Sequence, residues 1–326
     1  MSKQFPRIVF MGTPGFAVSP LKLLLESGCN VVGVITAPDR RAGRGKLIRC
    51  SEVKTYLQRQ ERQIPILQPE NLKDPSFLEE LGALKPDLQI VVAFRMLPEL
   101  VWSIPTLGTF NLHASLLPQY RGAAPINHVL INGESETGVT TFFIDEQIDT
   151  GKILLQERTA IGADECAGEL HDRLMDLGSR LVLETVLQLS SGQLEARSQD
   201  QYLDPETPLK KAPKIFKEDC RIDWNLPGER LFNLIRGLSP YPGAYCLLEN
   251  EEGEILHCKI FKASFEATSH EDAPGTINSD DKRFLKVAVS DGEIHIHSIQ
   301  QEGKRRMDIK DFLAGFPLRN GVYRFS

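Results

Sequence analysis

The chain has 326 residues, a net charge of -6 and 41% hydrophobic residues, enough for one large domain and a smaller one. The acidic balance excludes a globally basic nucleic-acid binder, so a phosphate partner must meet local basic clusters. No run approaches the roughly twenty apolar residues of a membrane helix. The six scattered cysteines contain no CxxC and read as reduced thiols of a cytoplasmic protein, not as a disulfide frame or zinc site.

Arg7 to Gly12 reads as a strand of branched apolar residues. Gly12-Thr13-Pro14-Gly15 turns it into a helix, Phe16 to Ser27, which Gly28 ends as a C-cap glycine would. Val31 to Ile35 is the next strand. This β-α-β spacing predicts a right-handed crossover and a parallel sheet. The turn lacks GxGxxG, which argues against a dinucleotide site, and Asp39 reads as a solvated loop aspartate. Pro38 to Arg49, PDRRAGRGKLIR, reads as a mobile basic loop that cannot form a core. Ser51 and Asp74 are expected N-caps of two helices, Ser51 to Gln60 and Asp74 to Leu84. Leu88 to Phe94 is a continuous apolar strand, as a parallel sheet covered on both faces requires.

Thr109 to Pro125, TFNLHASLLPQYRGAAP, begins as a strand and ends as a loop entering a helix. Alternation puts Asn111, His113 and Ser115 on one face, with Phe110, Leu112 and Ala114 opposite. An imidazole that titrates near neutrality can move a proton, and an amide two residues away can donate to a developing oxyanion. The pattern therefore points to acyl transfer near a strand end, where open α/β sheets place ligands. The alternative is a buried His and Asn that merely hold the loop. Asp149, in the loop after the strand Gly138 to Asp145, is the candidate carboxylate to orient the imidazole. Lys152 to Ile161 reads as a return strand, and Asp164 to Leu189 as a long amphipathic helix.

Gln193 to Lys217 is rich in proline and lysine and reads as a linker. Beyond it, short alternating segments at 244–248, 257–263, 285–288 and 293–299 predict a small antiparallel barrel. His295 and His297 share a strand face there. Without a third ligand they read better as an exposed barrel face than as a metal site. Lys304, Arg305 and Arg306 form a basic cluster open to phosphate.

NLHASLLPQYRGAAPIN followed by Asp149-Thr150-Gly151 resembles the folate-dependent formyltransferases, and the resemblance runs over essentially the whole chain. It implies a Rossmann-like, mostly parallel α/β sheet domain followed by an OB-like antiparallel barrel. The divisions expected are 1–205 for catalysis, 206–218 for a basic linker and 219–326 for a tRNA-binding barrel. It also implies a formyl donor, 10-formyltetrahydrofolate, an acceptor, methionyl initiator tRNA, and a cytoplasmic monomer that needs no metal. Asn111, His113 and Asp149 take the catalytic positions, and Ser115, Leu116, Leu117 and Pro118 form part of the folate wall. Arg44 meets the acceptor end of the tRNA, supported by Arg40 and Lys46, and Lys210 and Lys211 line its path. Arg95-Met96-Leu97-Pro98 departs from the family's tyrosine-glycine step where the pterin pocket is expected. Sugar-nucleotide N-formyltransferases share the Asn-x-His and Asp set; the basic loop and barrel favour tRNA over them.

Overall fold

A parallel sheet needs strands that are apolar on both faces, and β1 (Ile8–Gly12) meets that demand with every residue buried. Helix α1 (Gly15–Glu26) follows and ends before Gly28, whose φ of 75° is the left-handed conformation that glycine adopts freely. Strand β2 is Val31–Ile35. In this computed structural model, residues 5–42, 47–60, 63–250, 252–316, 318 and 322–326 are described.

The expected basic loop differs from the sequence reading. β3 (Arg40–Ala42) and β4 (Leu47–Arg49) pair antiparallel, with Arg40 opposite Arg49, so the segment is a two-stranded ribbon. Asp39 sits at its base and is engaged, not merely solvated. It accepts hydrogen bonds from Gln68 (2.8 Å) and Lys54 (2.6 Å), which hold its carboxyl below the usual carboxylate range. Arg44 and Lys46 lie outside the described residues.

Helices α2 (Glu52–Leu57) and α3 (Pro75–Ala83) carry the expected caps. The Ser51 hydroxyl accepts from the Lys54 N–H, and Asp74 accepts from the Ser76 N–H. After β5 (Ile66–Leu67), strand β6 (Leu88–Val92), short helix α4 (Glu99–Trp102) and strand β7 (Thr109–His113) lead to the two-residue strand β8 (Arg121–Gly122). Helix α5 (Pro125–Ile131), strands β9 (Glu136–Phe143) and β10 (Ile153–Ala160), and helix α6 (Ala167–Ser191) come next. The large sheet has the order β10-β9-β7-β6-β1-β2-β5. β7 runs parallel to β6 and antiparallel to β9, so the sheet is mostly parallel and β7 marks where its direction reverses.

The remaining elements are β11 (Lys211–Ala212), α7 (Gly228–Leu238), β12 (Ala244–Asn250), β13 (Ile255–Ala267), β14 (Ile277–Ser279), β15 (Leu285–Val289), β16 (Gly292–Gln301), β17 (Met307–Asp308), α8 (Ile309–Gly315) and β18 (Tyr323–Phe325). The second sheet, β14-β15-β16-β13-β12-β18, is antiparallel in its pairings and forms the expected barrel-like layer. Its core gathers alternate residues such as Leu248, Ile260, Val287, Ile294 and Ile296, with the Trp224 and Phe325 rings 5.4 Å apart. Cys246 and Cys258 face each other across β12 and β13 as free thiols, and burial pushes the Cys258 thiol up to about 12.

Contacts divide the chain into two units. One comprises residues 1–122, 137–160 and 171–211; the other comprises 123–136, 161–170 and 212–326. The second unit is thus discontinuous: α5 packs on α7 within it. Asn127 donates to the Gly237 carbonyl at 2.7 Å. A Cβ at Gly237 would lie 2.7 Å from Ile131 Cγ1, so only glycine permits this crossing. Arg236, 8% exposed, ties the same unit together by donating to the Gly162 and Glu165 carbonyls and to Asn233. Among the described residues no helix is long and apolar enough to cross a membrane.

Candidate active site

β7 ends at His113, one turn of alternation earlier than the sequence suggests, and this narrows the polar face to Asn111 and His113. Ser115 falls in the bend that follows and is completely buried. Its hydroxyl donates to the Gln119 carbonyl (2.7 Å), while its own carbonyl accepts from the Thr140 hydroxyl (2.7 Å). Ser115 therefore braces the loop from within. Gln156 extends the brace by donating to the Leu117 carbonyl (2.7 Å) and to Thr140 (3.0 Å). Leu117 and Pro118 are buried too, Leu117 against Phe142 and Ile153. Of the four expected wall residues only Leu116 is half-exposed.

His113 is 6% exposed. Its Nε2 lies 2.9 Å from the Tyr120 carbonyl oxygen. A carbonyl only accepts, so this contact places a proton on Nε2 and leaves Nδ1 as the basic nitrogen of the neutral ring. Nδ1 faces Asp149 Oδ2 at 3.9 Å, too long for a direct hydrogen bond but within ion-pair reach and within reach through one water. The edge of the ring meets Phe142, with centroids 6.4 Å apart and planes at 88°. The Tyr120 carbonyl thus engages Nε2 directly, and the Asp149 carboxylate lies beside the opposite nitrogen. Asn111 is half-buried one alternate position away on β7.

Asp149 is itself held. Its Oδ2 accepts from the Gly122 N–H (2.9 Å), and its backbone is left-handed, with φ at 56°. Tyr120 (61°) and Ala93 (47°) share that conformation, which L-residues adopt at a cost of about 1–2 kcal/mol. Two of these three residues thus flank His113, one through its carbonyl and one through its carboxylate. Gly151 completes the turn under tight constraint: a Cβ there would sit 1.7 Å from the Phe143 carbonyl oxygen. Gly151→Ala is therefore expected to displace the turn, costing about 1–3 kcal/mol and most of the activity. Thermal unfolding and turnover measured together check this; unchanged values for both would contradict it.

Arg95, in the loop after β6, donates to the Glu70 carbonyl (2.8 Å) and the Pro69 carbonyl. It ties the loop after β6 to the loop after β5. Arg40 is exposed on the ribbon, and Lys210 and Lys211 are exposed beside β8. Lys210 is also built into the site through its backbone: its carbonyl accepts from the Tyr120 N–H (2.7 Å) and its N–H donates to Gln119 Oε1 (2.8 Å). Sequence reasoning missed Tyr120, which acts through a carbonyl that any residue carries.

His295 lies with Glu266 and Glu293, their ligand atoms within 4.8 Å of one another. Lys286 Nζ is 2.8 Å from Glu293 and 3.5 Å from Glu266, so a resident ammonium already answers both carboxylates. His297 faces Ser264 instead, at 2.8 Å.

The chain belongs to the formyl transferases. Residues 6–186 match the Formyl transferase family and residues 214–317 match the Formyl transferase C-terminal domain. In structure, the chain superimposes with a TM-score of 0.62 on HypX from Aquifex aeolicus in complex with tetrahydrofolic acid, at 17% identity, covering 98% of this chain and 48% of that one. It also superimposes on WlaRD, a sugar 3N-formyl transferase, with a TM-score of 0.58 at 18% identity, covering 92% and 99%. The chain spans about half of HypX, and at these identities both likenesses speak for the fold alone. In sequence it is 54% identical over 318 residues to methionyl-tRNA formyltransferase of Bacteroides fragilis (98% of this chain, 97% of that protein). It is 46% identical over 328 residues to the protein of the same name from Porphyromonas gingivalis (99% of each). The chain belongs to the methionyl-tRNA formyltransferase family.

Proposed function

We infer that the chain transfers the formyl group of 10-formyltetrahydrofolate to the α-amine of methionyl initiator tRNA. The observation that carries this reading is the His113 Nδ1 to Asp149 Oδ2 approach beside Asn111, set within a chain whose close relatives bear that activity's name. The neutral amine attacks the formyl carbon, and the carbonyl oxygen becomes an oxyanion. The Asn111 amide donates to that oxygen, where charge develops. The attacking nitrogen loses its proton to His113 Nδ1, and the imidazolium so formed is stabilised by Asp149 at 3.9 Å. The bond from the formyl carbon to N10 breaks as His113 returns the proton to N10. The products are formylmethionyl-tRNA and tetrahydrofolate. Each proton moves between nitrogens, and three side chains, Asn111, His113 and Asp149, serve the oxyanion, the proton and the charge on the imidazolium.

Leu116 and the backbone of 115–118 form one wall for the folate, with the Thr140 and Gln156 brace fixing their shape. Catalysis is assigned to the first unit and tRNA contact to Arg40 of the ribbon, to Arg44 and Lys46, to Lys210 and Lys211, and to the barrel beyond the 206–218 segment. Guanidinium and ammonium groups on these flanks answer phosphate oxygens without reading sequence. Replacing Lys210 and Lys211 together by Ala is expected to flatten the salt dependence of tRNA binding by about one log unit per lysine on a log–log plot. Donor binding should not change. A salt slope identical to the parent's would remove both lysines from the interface.

The acceptor is tested with a labelled formyl donor and three candidates: methionyl initiator tRNA, uncharged tRNA and an amino-sugar nucleotide. Label is expected on the first alone. Label on the sugar nucleotide alone would overturn the assignment in favour of the sugar formyltransferases.

A further inference from the structure

We propose that Gln199 is a positioning residue for formyl transfer, acting through Asp149. It lies in the stretch between α6 and β11, fifty residues from Asp149 in sequence, and is 3% exposed. Its Nε2 donates to the Asp149 carbonyl (2.9 Å) and to the Gly151 carbonyl (2.9 Å). Its Oε1 accepts from Arg121 Nε (3.1 Å) and from the second Arg121 guanidinium nitrogen (2.6 Å). Both amide hydrogens and the amide oxygen are thus engaged, so the side chain has one rotamer that satisfies it.

The geometry assigns a purpose to that saturation. Asp149 holds a left-handed φ, and the turn it occupies must aim Oδ2 at His113. Gln199 grips the turn at two carbonyls that bracket Thr150, and Arg121 fixes the grip. The residue after Arg121, Gly122, donates its N–H to Asp149 Oδ2, so main chain and carboxylate are fixed from one place. The other end of the same stretch reaches the second half of the pair. Lys210 hydrogen-bonds to Tyr120 and Gln119, and the Tyr120 carbonyl orients His113. Residues 199–210, which the sequence presents as a linker, therefore strap down both partners of the His113–Asp149 pair. The inference rests on the reading that Asp149 serves formyl transfer.

The test is a double-mutant cycle in the full chain. Gln199→Leu keeps bulk and removes the amide. It is expected to lower kcat by about 10- to 100-fold, with KM for donor and tRNA within about twofold. Gln199→Glu retains an acceptor for Arg121 but cannot donate to the two carbonyls, and should show the same kcat loss in a folded protein if the leucine variant does not fold. In an Asp149→Asn background either substitution should cost less than about threefold, because the group it positions has lost its charge. Full activity in a folded Gln199→Leu or Gln199→Glu variant overturns the proposal. So does a loss that multiplies unchanged onto Asp149→Asn. If Asp149→Asn alone is fully active, it is the parent reading of Asp149 that fails.

Discussion

His113→Ala is expected to lower kcat for formyl transfer by about a thousandfold, equivalent to about 4 kcal/mol of transition-state stabilisation, while donor affinity stays within about twofold. The ring is buried, so its loss also leaves the Tyr120 carbonyl without its donor, at about 1–2 kcal/mol of folding stability. That cost is small beside the catalytic one, and the variant should fold. The deletion opens a space of imidazole's own shape between Tyr120, Phe142 and Asp149. Added imidazole is therefore expected to restore part of the turnover in a concentration-dependent way. Near-normal kcat without imidazole would remove His113 from the proton path.

Asp149→Asn is the second large effect, an expected fall in kcat of about a hundredfold or more. The substitution separates charge from structure. Asparagine tolerates the left-handed φ at least as well as aspartate, and its amide oxygen can still accept the Gly122 N–H. What disappears is the negative charge 3.9 Å from Nδ1, which favours the imidazolium. Melting temperature should stay within about 2 °C while turnover collapses. Asp149→Val removes charge, acceptor and backbone tolerance together, so it should lose stability as well. An asparagine variant that retains parental kcat would show that the charge is not used.

The sequence made the chemistry of this site legible where local rules suffice. Period-two alternation put Asn111 and His113 on one face because both lie inside β7. The same rule failed at Ser115 because the strand stops at His113, and its hydroxyl turns inward to the Gln119 carbonyl. Capping logic placed Ser51 and Asp74 correctly, since a cap is decided within three residues. The basic stretch after β2 read as a loop because charge gave no sign of pairing, yet Arg40 and Arg49 oppose each other in a ribbon. Helix α5, between two elements of the large sheet in sequence, packs on α7, a partnership fixed by Asn127 and Gly237 at a separation of 110 residues. Tyr120 and Gln199 act through a backbone carbonyl and a distant amide, and neither leaves a mark in composition or spacing.

The most direct test of the central claim is a crystal structure of the chain with a non-transferring formyl-folate analogue. The formyl oxygen is predicted within about 3 Å of the Asn111 amide nitrogen, with His113 Nδ1 and Asp149 on the side where the amine must arrive. A folate seated elsewhere, with its formyl carbon out of reach of β7, would contradict the account.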